Sequence, residues 1–339
     1  MSPRWFLAGL AATLFVATVP ADDKTPKTLG SIERKDPKFD DLIAKDATID
    51  ILANGFDWSE GPVWVKDKDG GYLVFSDIPK NMTWKWSDKG GLKEHLKPSG
   101  YTGKDKFTGR EPGSNGLALD KDGKLILCQH GDRRLSLLDG DKFKTLADKY
   151  DGKRLNSPND LAIKSNGDIY FTDPPYGLPK VEKDPAKELD FQGVYRLTPK
   201  GELTLLTKEL SRPNGIAFSP DEKTLYVANS DPAKAIWTAF PVKDDGTLGE
   251  GKLFFDSTPW VKDKKPGLPD GLKVDTAGNV FATGPGGVIV FDKDGKHLGT
   301  LATGVPTANC GWGDDGSTLY ITADKQLVRV KTKTKGAGW

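Results

Sequence analysis

One pattern is written six times along this chain. It runs "EGPVWVKDKDGGYLVFSDI" from Glu60, "NGLALDKDGKLILCQH" from Asn115 and "NDLAIKSNGDIYFTDP" from Asn159. It returns as "NGIAFSPDEKTLYVANS" from Asn214, "DGLKVDTAGNVFATG" from Asp270 and "NCGWGDDGSTLYITAD" from Asn309. Each copy is a polar head, an apolar alternation, an Asp/Asn/Gly turn and a second strand of β-branched or aromatic residues. That is the chemistry of a β-hairpin. The copies start roughly 40–55 residues apart, which is the length of a four-stranded propeller blade. The rest of each repeat supplies an outer strand pair, as in "GVYRLTPKGELTLLT" and "VIVFDKDGKHLGTLAT". Beyond the first twenty or so residues no helical periodicity competes. The expectation is an all-β, six-bladed β-propeller with four antiparallel strands per blade.

The repeat also predicts how the ring closes. Each blade's last strand runs directly into the next head, and "IDILANGFDWSEG", leading into Glu60, has that form with no earlier blade to finish. The final copy ends early, after "LVRVKTK". Residues 48–54 are therefore expected to complete the sixth blade, which hides an otherwise open sheet edge. The propeller is placed at 48–335, preceded by an N-terminal extension at 22–47.

Residues 1–21 differ from everything after them. Arg4 is their one charge, "WFLAGLAATLFVATV" is apolar, and small residues precede Asp22. This is a secretory signal peptide pattern, with an apolar run short for a membrane span. Export to the periplasm or outside the cell is expected, with no membrane span in the mature chain; a retained N-terminal anchor is the alternative. Removing Arg4 balances the acidic and basic side chains. A neutral chain whose Lys and Asp mix in "KDKDG"-like turns does not suit nucleic acid as a partner. Cys128 and Cys310 are far apart and lie in apolar strand-like stretches, so both are read as buried free thiols rather than a disulfide framework.

The heads carry the chemistry. In a propeller the innermost strands line a central channel, so equivalent positions in six blades form a ring at one end of it. Glu60, Asn115, Asn159, Asn214, Asp270 and Asn309 each bring a side-chain oxygen. Asn and Asp are also common turn formers before strands. That explains one or two of the six, but neither Glu60 nor the complete ring. Oxygen ligands, two of them anionic, suit a hard divalent cation such as Ca²⁺ or Mg²⁺. With His95, His130 and His297 the only histidines, a His- or Cys-rich zinc site is excluded. His130 ends the second strand of its hairpin, where it either faces the channel or is a hydrogen-bonded structural residue.

The wording of "SEGPVW", "SPNDLAI…FTDPPYG", "RPNGIAF" and "PDGLKVD" resembles the senescence marker protein-30/gluconolactonase family, also called regucalcin-like, and within it the bacterial gluconolactonase-like members. The resemblance runs from about Thr48 to the C-terminus. It implies a six-bladed propeller with one divalent metal held by Glu60, Asn159, Asn214 and Asp270, and it suggests Asp270 as both ligand and general base. Ca²⁺ is the expected ion, with Mg²⁺, Mn²⁺ or Zn²⁺ as alternatives. Animal members place an Arg two residues before the Asn equivalent to Asn159, where it contacts sugar; Ser157 stands there in this chain. Metal binding therefore transfers better than sugar specificity.

The expected activity is opening of a small-molecule sugar lactone, the metal polarising the carbonyl and activating water. Asp173 should return to the same end of the channel across its hairpin, as a second base or as a strand-end cap. Asn115, His130, Arg110, Arg134 and Asn309 are the candidate substrate contacts, the arginines because guanidinium groups near the mouth suit hydroxylated or carboxylated substrates. The polar insert "LPKVEKDPAKELDFQG" after Gly177 is read as a lid or a solvated loop. Two alternatives stand beside this: the same site hydrolysing a non-sugar lactone or an organophosphate, and a non-catalytic calcium- or ligand-binding propeller.

Overall fold

The computed structural model describes residues 27–339. The predicted signal peptide at 1–21 lies outside them. Six antiparallel sheets follow one another around the ring, each laid down from inside to outside in chain order. The first blade shows the plan: Ser59–Val65 innermost, then Tyr72–Asp77, Met82–Ser87 and Gly91–Leu96. The other inner strands are Ser114–Leu119, Leu161–Ile163, Pro213–Phe218, Leu272–Val274 and Thr307–Gly313. All-β architecture, six blades and four-strand repeats match the expectation from sequence.

Closure also follows it. Asp50–Asn54 pairs antiparallel with Gln326–Lys331, Asp50 opposite Arg329 and Asn54 opposite Gln326, and so becomes the outer strand of the sixth blade. The extension before it holds structure that sequence reading did not assign. Ser31–Arg34 adds a fifth strand to the outer edge of the fifth blade, Ser31 opposite Ala302. The short helix Phe39–Leu42 then buries Phe39 and Leu42 between the fifth and sixth blades.

Alternating strands give each sheet two apolar faces, and these meet their neighbours in pairs. Six apolar clusters result among the described residues, one in each gap between adjacent blades. Val74, Leu117, Leu125 and Leu127 fill the first, whereas Phe281, Val288, Val290, Trp312 and Ile321 fill part of the fifth. Cys128 and Cys310 are buried free thiols in these walls, as expected. Among the described residues no helix is long and apolar enough to cross a membrane.

Near the channel the repeat does something the alternation alone does not require. Pairing slips at the head of four inner strands: between Glu60 and Val63, Ser114 and Leu117, Pro213 and Ile216, and Thr307 and Asn309. Bulges of this kind re-aim side chains. Here they turn the heads from the sheet faces toward the axis. The residue after the head is Gly61, Gly116, Gly215 and Gly271 in four blades, for a steric reason. A Cβ on Gly61 would lie 2.2 Å from the Asn115 carbonyl oxygen, and one on Gly215 would lie 2.1 Å from that of Asp270. The backbones of Asn115, Asn159 and Asp270 are thus seated on the preceding blade's glycine.

Candidate active site

Five of the six heads line one cavity of ≈490 Å³ at the end of the channel: Glu60, Asn115, Asn159, Asn214 and Asp270. Their backbones are held from neighbouring blades. Ser76 Oγ donates to the Asn115 carbonyl at 2.8 Å and Thr172 Oγ1 to that of Asn214 at 2.7 Å. Thr283 Oγ1 makes the equivalent bond to Ala308, also at 2.8 Å. Sequence reading missed these hydroxyls, although they recur near the end of the second strand in "FSD", "FTD" and "FATG".

The side-chain oxygens of the ring are buried and underused. Oδ1 of Asn115, Asn159, Asn214 and Asp270 finds no hydrogen-bond partner among the described residues. Orphaned buried acceptors are costly unless something occupies them. Burial pushes the Glu60 carboxyl up to about 8, and the nearby Asp160 carboxyl adds to the shift while the Gly61 N–H opposes it. Asp270, open to the cavity on one side and enclosed by protein elsewhere, is raised well above the usual carboxylate range by burial, then by Glu60 and Asp160. Acids that oppose each other's ionisation, set among amide oxygens without donors, fit a divalent cation. Glu60, Asn159, Asn214 and Asp270 are the residues that would hold it. Among the described residues no three His, Cys, Asp or Glu side chains cluster as a metal-binding group, so the amides are essential to such a site.

The sixth head departs from expectation. Asn309 is not on the cavity wall; its Nδ2 donates to Glu60 Oε2 at 3.2 Å and lies 3.5 Å from Asp160 Oδ2, behind the ring. Asp160 stands where four other blades have glycine, and its buried carboxylate lies within reach of the Asn309 amide and opposes the ionisation of Glu60 and Asp270. It is therefore more than a strand-start residue.

The remaining candidates are placed elsewhere. Asp173 is fully buried, with Oδ2 accepting the Asn156 N–H and Oδ1 the Ser157 N–H, both at 2.8 Å, and it does not line the cavity. Asp77, at the same repeat position, accepts the N–H groups of Asp57 and Trp58. Each acid fixes the two residues lying two and three places before a head. That is a positioning role for Asp173, and it replaces the expectation of a second base. His130 is buried off the cavity, its Nδ1 2.9 Å from Oε2 of Glu111, which does line it. Arg134 is turned away, donating to Gln129 and Asp132 within the second blade. Arg110 is exposed on its loop and does not reach the cavity wall. In their place the wall holds Arg212, Tyr176, Glu111 and Trp58. Burial raises the Tyr176 pKa, and the neighbouring Ser230 opposes the shift. Arg212 and Tyr176 were in view within "RPNG" and "DPPYG" but not singled out.

The sequence model described as the SMP-30/Gluconolactonase/LRE-like region matches residues 58–325. The chain belongs to this family. A gluconolactonase of Zymomonas mobilis is 40% identical over 341 residues, spanning 96% of this chain and 95% of that protein. A pentonolactonase of Haloferax volcanii is 25% identical, spanning 78% of this chain and 80% of that one. Among solved structures, a gluconolactonase from Xanthomonas campestris superposes with a TM-score of 0.78 at 33% identity, covering 93% of this chain and 99% of its own. A calcium-binding regucalcin of Agrobacterium tumefaciens shares the fold, with a TM-score of 0.65 at 21% identity over 85% of this chain and 94% of that one.

Proposed function

We propose that this protein is a divalent-metal-dependent hydrolase that opens a sugar lactone, with Ca²⁺ as its ion. The observation that carries the reading is the set of unpartnered Oδ1 atoms of Asn159, Asn214 and Asp270 beside Glu60 on one cavity wall. The names of the relatives from Zymomonas mobilis and Haloferax volcanii support lactone hydrolysis as the reaction class.

A bound divalent cation supplies charge to polarise a lactone carbonyl and to lower the pKa of water. The protein's own residues do the rest. Asn115 Oδ1 offers an acceptor to a substrate hydroxyl, and the Tyr176 hydroxyl and Arg212 guanidinium offer donors from the opposite chemistry. Trp58, Ile78, Val261 and Leu268 add apolar surface to the cavity wall. Asp270 Oδ1 has no hydrogen-bond partner among the described residues and is the group placed to take a proton from the attacking water.

The test is a lactone panel followed with a pH indicator on metal-stripped and reconstituted protein, run beside Asp270→Asn. Activity on an aldonolactone that requires metal and falls at least about 100-fold in the variant is expected. Full activity in chelator, or in the variant, would sink the reading, and turnover of phosphotriesters alone would move the chain to the other ester class. We also infer export, from the apolar leader at 1–21; N-terminal sequencing of the mature protein beginning at Asp22 checks it.

A further inference from the structure

The insert after Gly177 reaches a residue of the cavity wall. Glu182, on the single 3₁₀ turn Val181–Lys183, accepts a hydrogen bond from Arg212 Nε at 2.7 Å. Arg212 is the one cation among the described residues lining the cavity, where it faces three acids, Glu60, Glu111 and Asp270. Its backbone is fixed two residues before Asn214: its N–H donates to Asn229 Oδ1 at 2.8 Å and its carbonyl accepts the Ser230 N–H at 2.9 Å.

Glu182 is held as firmly. Leu178 and Leu189 are buried at the two ends of the insert. Asp184 accepts the N–H groups of Lys180 and Ala186, and Arg133 from the second blade donates to the Ala186 carbonyl at 2.8 Å. Val181 sits at φ +51°, a left-handed conformation rare for a β-branched residue and a recurrent mark of functional loops. The insert therefore presents one carboxylate to one guanidinium from a fixed turn. A partly exposed pair of this kind adds little to stability. Its consequence is electrostatic.

We propose that Glu182 sets the charge specificity of the cavity by occupying Arg212. This rests on the hydrolase reading above. With a dication balancing Glu60 and Asp270, the Arg212–Glu182 pair is neutral and Glu111 remains. The cavity then suits a neutral, polyhydroxylated lactone, and it disfavours one carrying a phosphate or carboxylate group. Such an anion would meet a guanidinium whose charge Glu182 already balances and whose Nε it already occupies. Glu182→Gln releases the guanidinium, which binds phosphate and carboxylate through paired N–H donors.

The experiment compares an aldonolactone with its terminal phosphate ester on the wild type, Glu182→Gln, Glu182→Ala and the double variant Glu182→Gln/Arg212→Gln. The ratio of kcat/KM for phosphorylated over neutral lactone is expected to rise at least about tenfold in both single variants, and to fall back in the double variant. A ratio unmoved in the single variants overturns the proposal, as does a gain that persists without Arg212. Thermal stabilisation by the two ring-opened products, an aldonate and its phosphate ester, supplies a readout that needs no turnover. If no lactone is opened but the single variants gain stabilisation by the phosphorylated product alone, the charge role stands and the hydrolase reading falls.

Discussion

The amide of Asn309 donates to Glu60 across the joint where the sixth blade meets the first, at 3.2 Å. The same Nδ2 lies 3.5 Å from Asp160. One neutral donor thus serves two buried acids, one from the first blade and one from the third. Its own Oδ1 is taken by the Cys310 N–H at 2.9 Å, which fixes the amide's orientation and leaves Nδ2 turned toward the acids.

Replacing Asn309 with Leu keeps the bulk and removes the donor. Glu60 retains only the Gly61 N–H, so the variant is expected to lose about 1–3 kcal/mol of stability. It should also bind divalent ions more weakly, because Glu60 is no longer aimed. Urea denaturation with and without metal, together with a calorimetric titration of Ca²⁺, checks both outcomes. Asn309→Asp separates them: a third buried acid destabilises the metal-free protein further, whereas added dication recovers part of the loss.

Gly215→Ala tests the seating of the ring. The new Cβ would meet the Asp270 carbonyl oxygen at 2.1 Å and the Gly271 Cα at 2.7 Å, backbone atoms with no rotamer to yield. Overpacking of this kind costs about 1–3 kcal/mol. The strain falls on Asp270, so metal affinity should drop along with the melting temperature. A variant that melts lower but titrates metal like the wild type would separate the glycine from the site.

How much of this was legible follows from particular residues. The six heads and the closing strand could be read because turn chemistry and strand alternation recur with the blade. Asn309 groups with the other heads because type and register are all that sequence shows, whereas in the fold its side chain packs over Gly271, where a Cβ would lie 2.0 Å from its Cγ. In isolation Asp173 reads equally as a second base or as a strand-end cap. Set against Asp77 in the first copy, it is a repeated backbone clamp, and the aligned copies carried that signal. Arg212 was passed over because "RPNG" was read for its Asn, and no local pattern tells which flanking side chain turns inward. Ser31–Arg34 was unreadable for a simpler reason: four residues are too few to display alternation.

Metal removal should cost stability as well as activity. Metal-free protein holds Glu60, Asp160 and Asp270 close enough to oppose one another's ionisation, with Lys273 offsetting part of that repulsion at Asp160. A cation at 100 times its Kd adds about 2.7 kcal/mol by mass action. Calorimetry in chelator, followed by addition of Ca²⁺, Mg²⁺, Mn²⁺ or Zn²⁺, should show a concentration-dependent rise in Tm and rank the ions. Asp270→Asn should melt higher than the wild type when both are metal-free, since one buried like charge is gone, and should respond little to added ion. A metal-free variant that melts lower would contradict the repulsion argument.

Asp173 gives the fold a pH dependence of its own. Burial raises its pKa from the ordinary carboxylate range to about 7, against the opposing pull of the Asn156 and Ser157 N–H groups and the Arg133 guanidinium. A group raised on folding binds its proton more tightly in the native state than in the unfolded chain. Its contribution is therefore fully present below pH 4, roughly the unfolded value, and is lost as pH rises through about 7. Asp173→Asn cannot ionise, so it should lack that portion of the decline. It should nonetheless be less stable than the wild type at pH 5, because an amide offers one acceptor to two backbone N–H donors. The check is denaturant unfolding of both proteins in chelator at intervals from pH 5 to pH 8.5, read as the difference in stability at each pH. That difference should narrow steadily as pH rises; a constant difference would show that Asp173 does not titrate in this range.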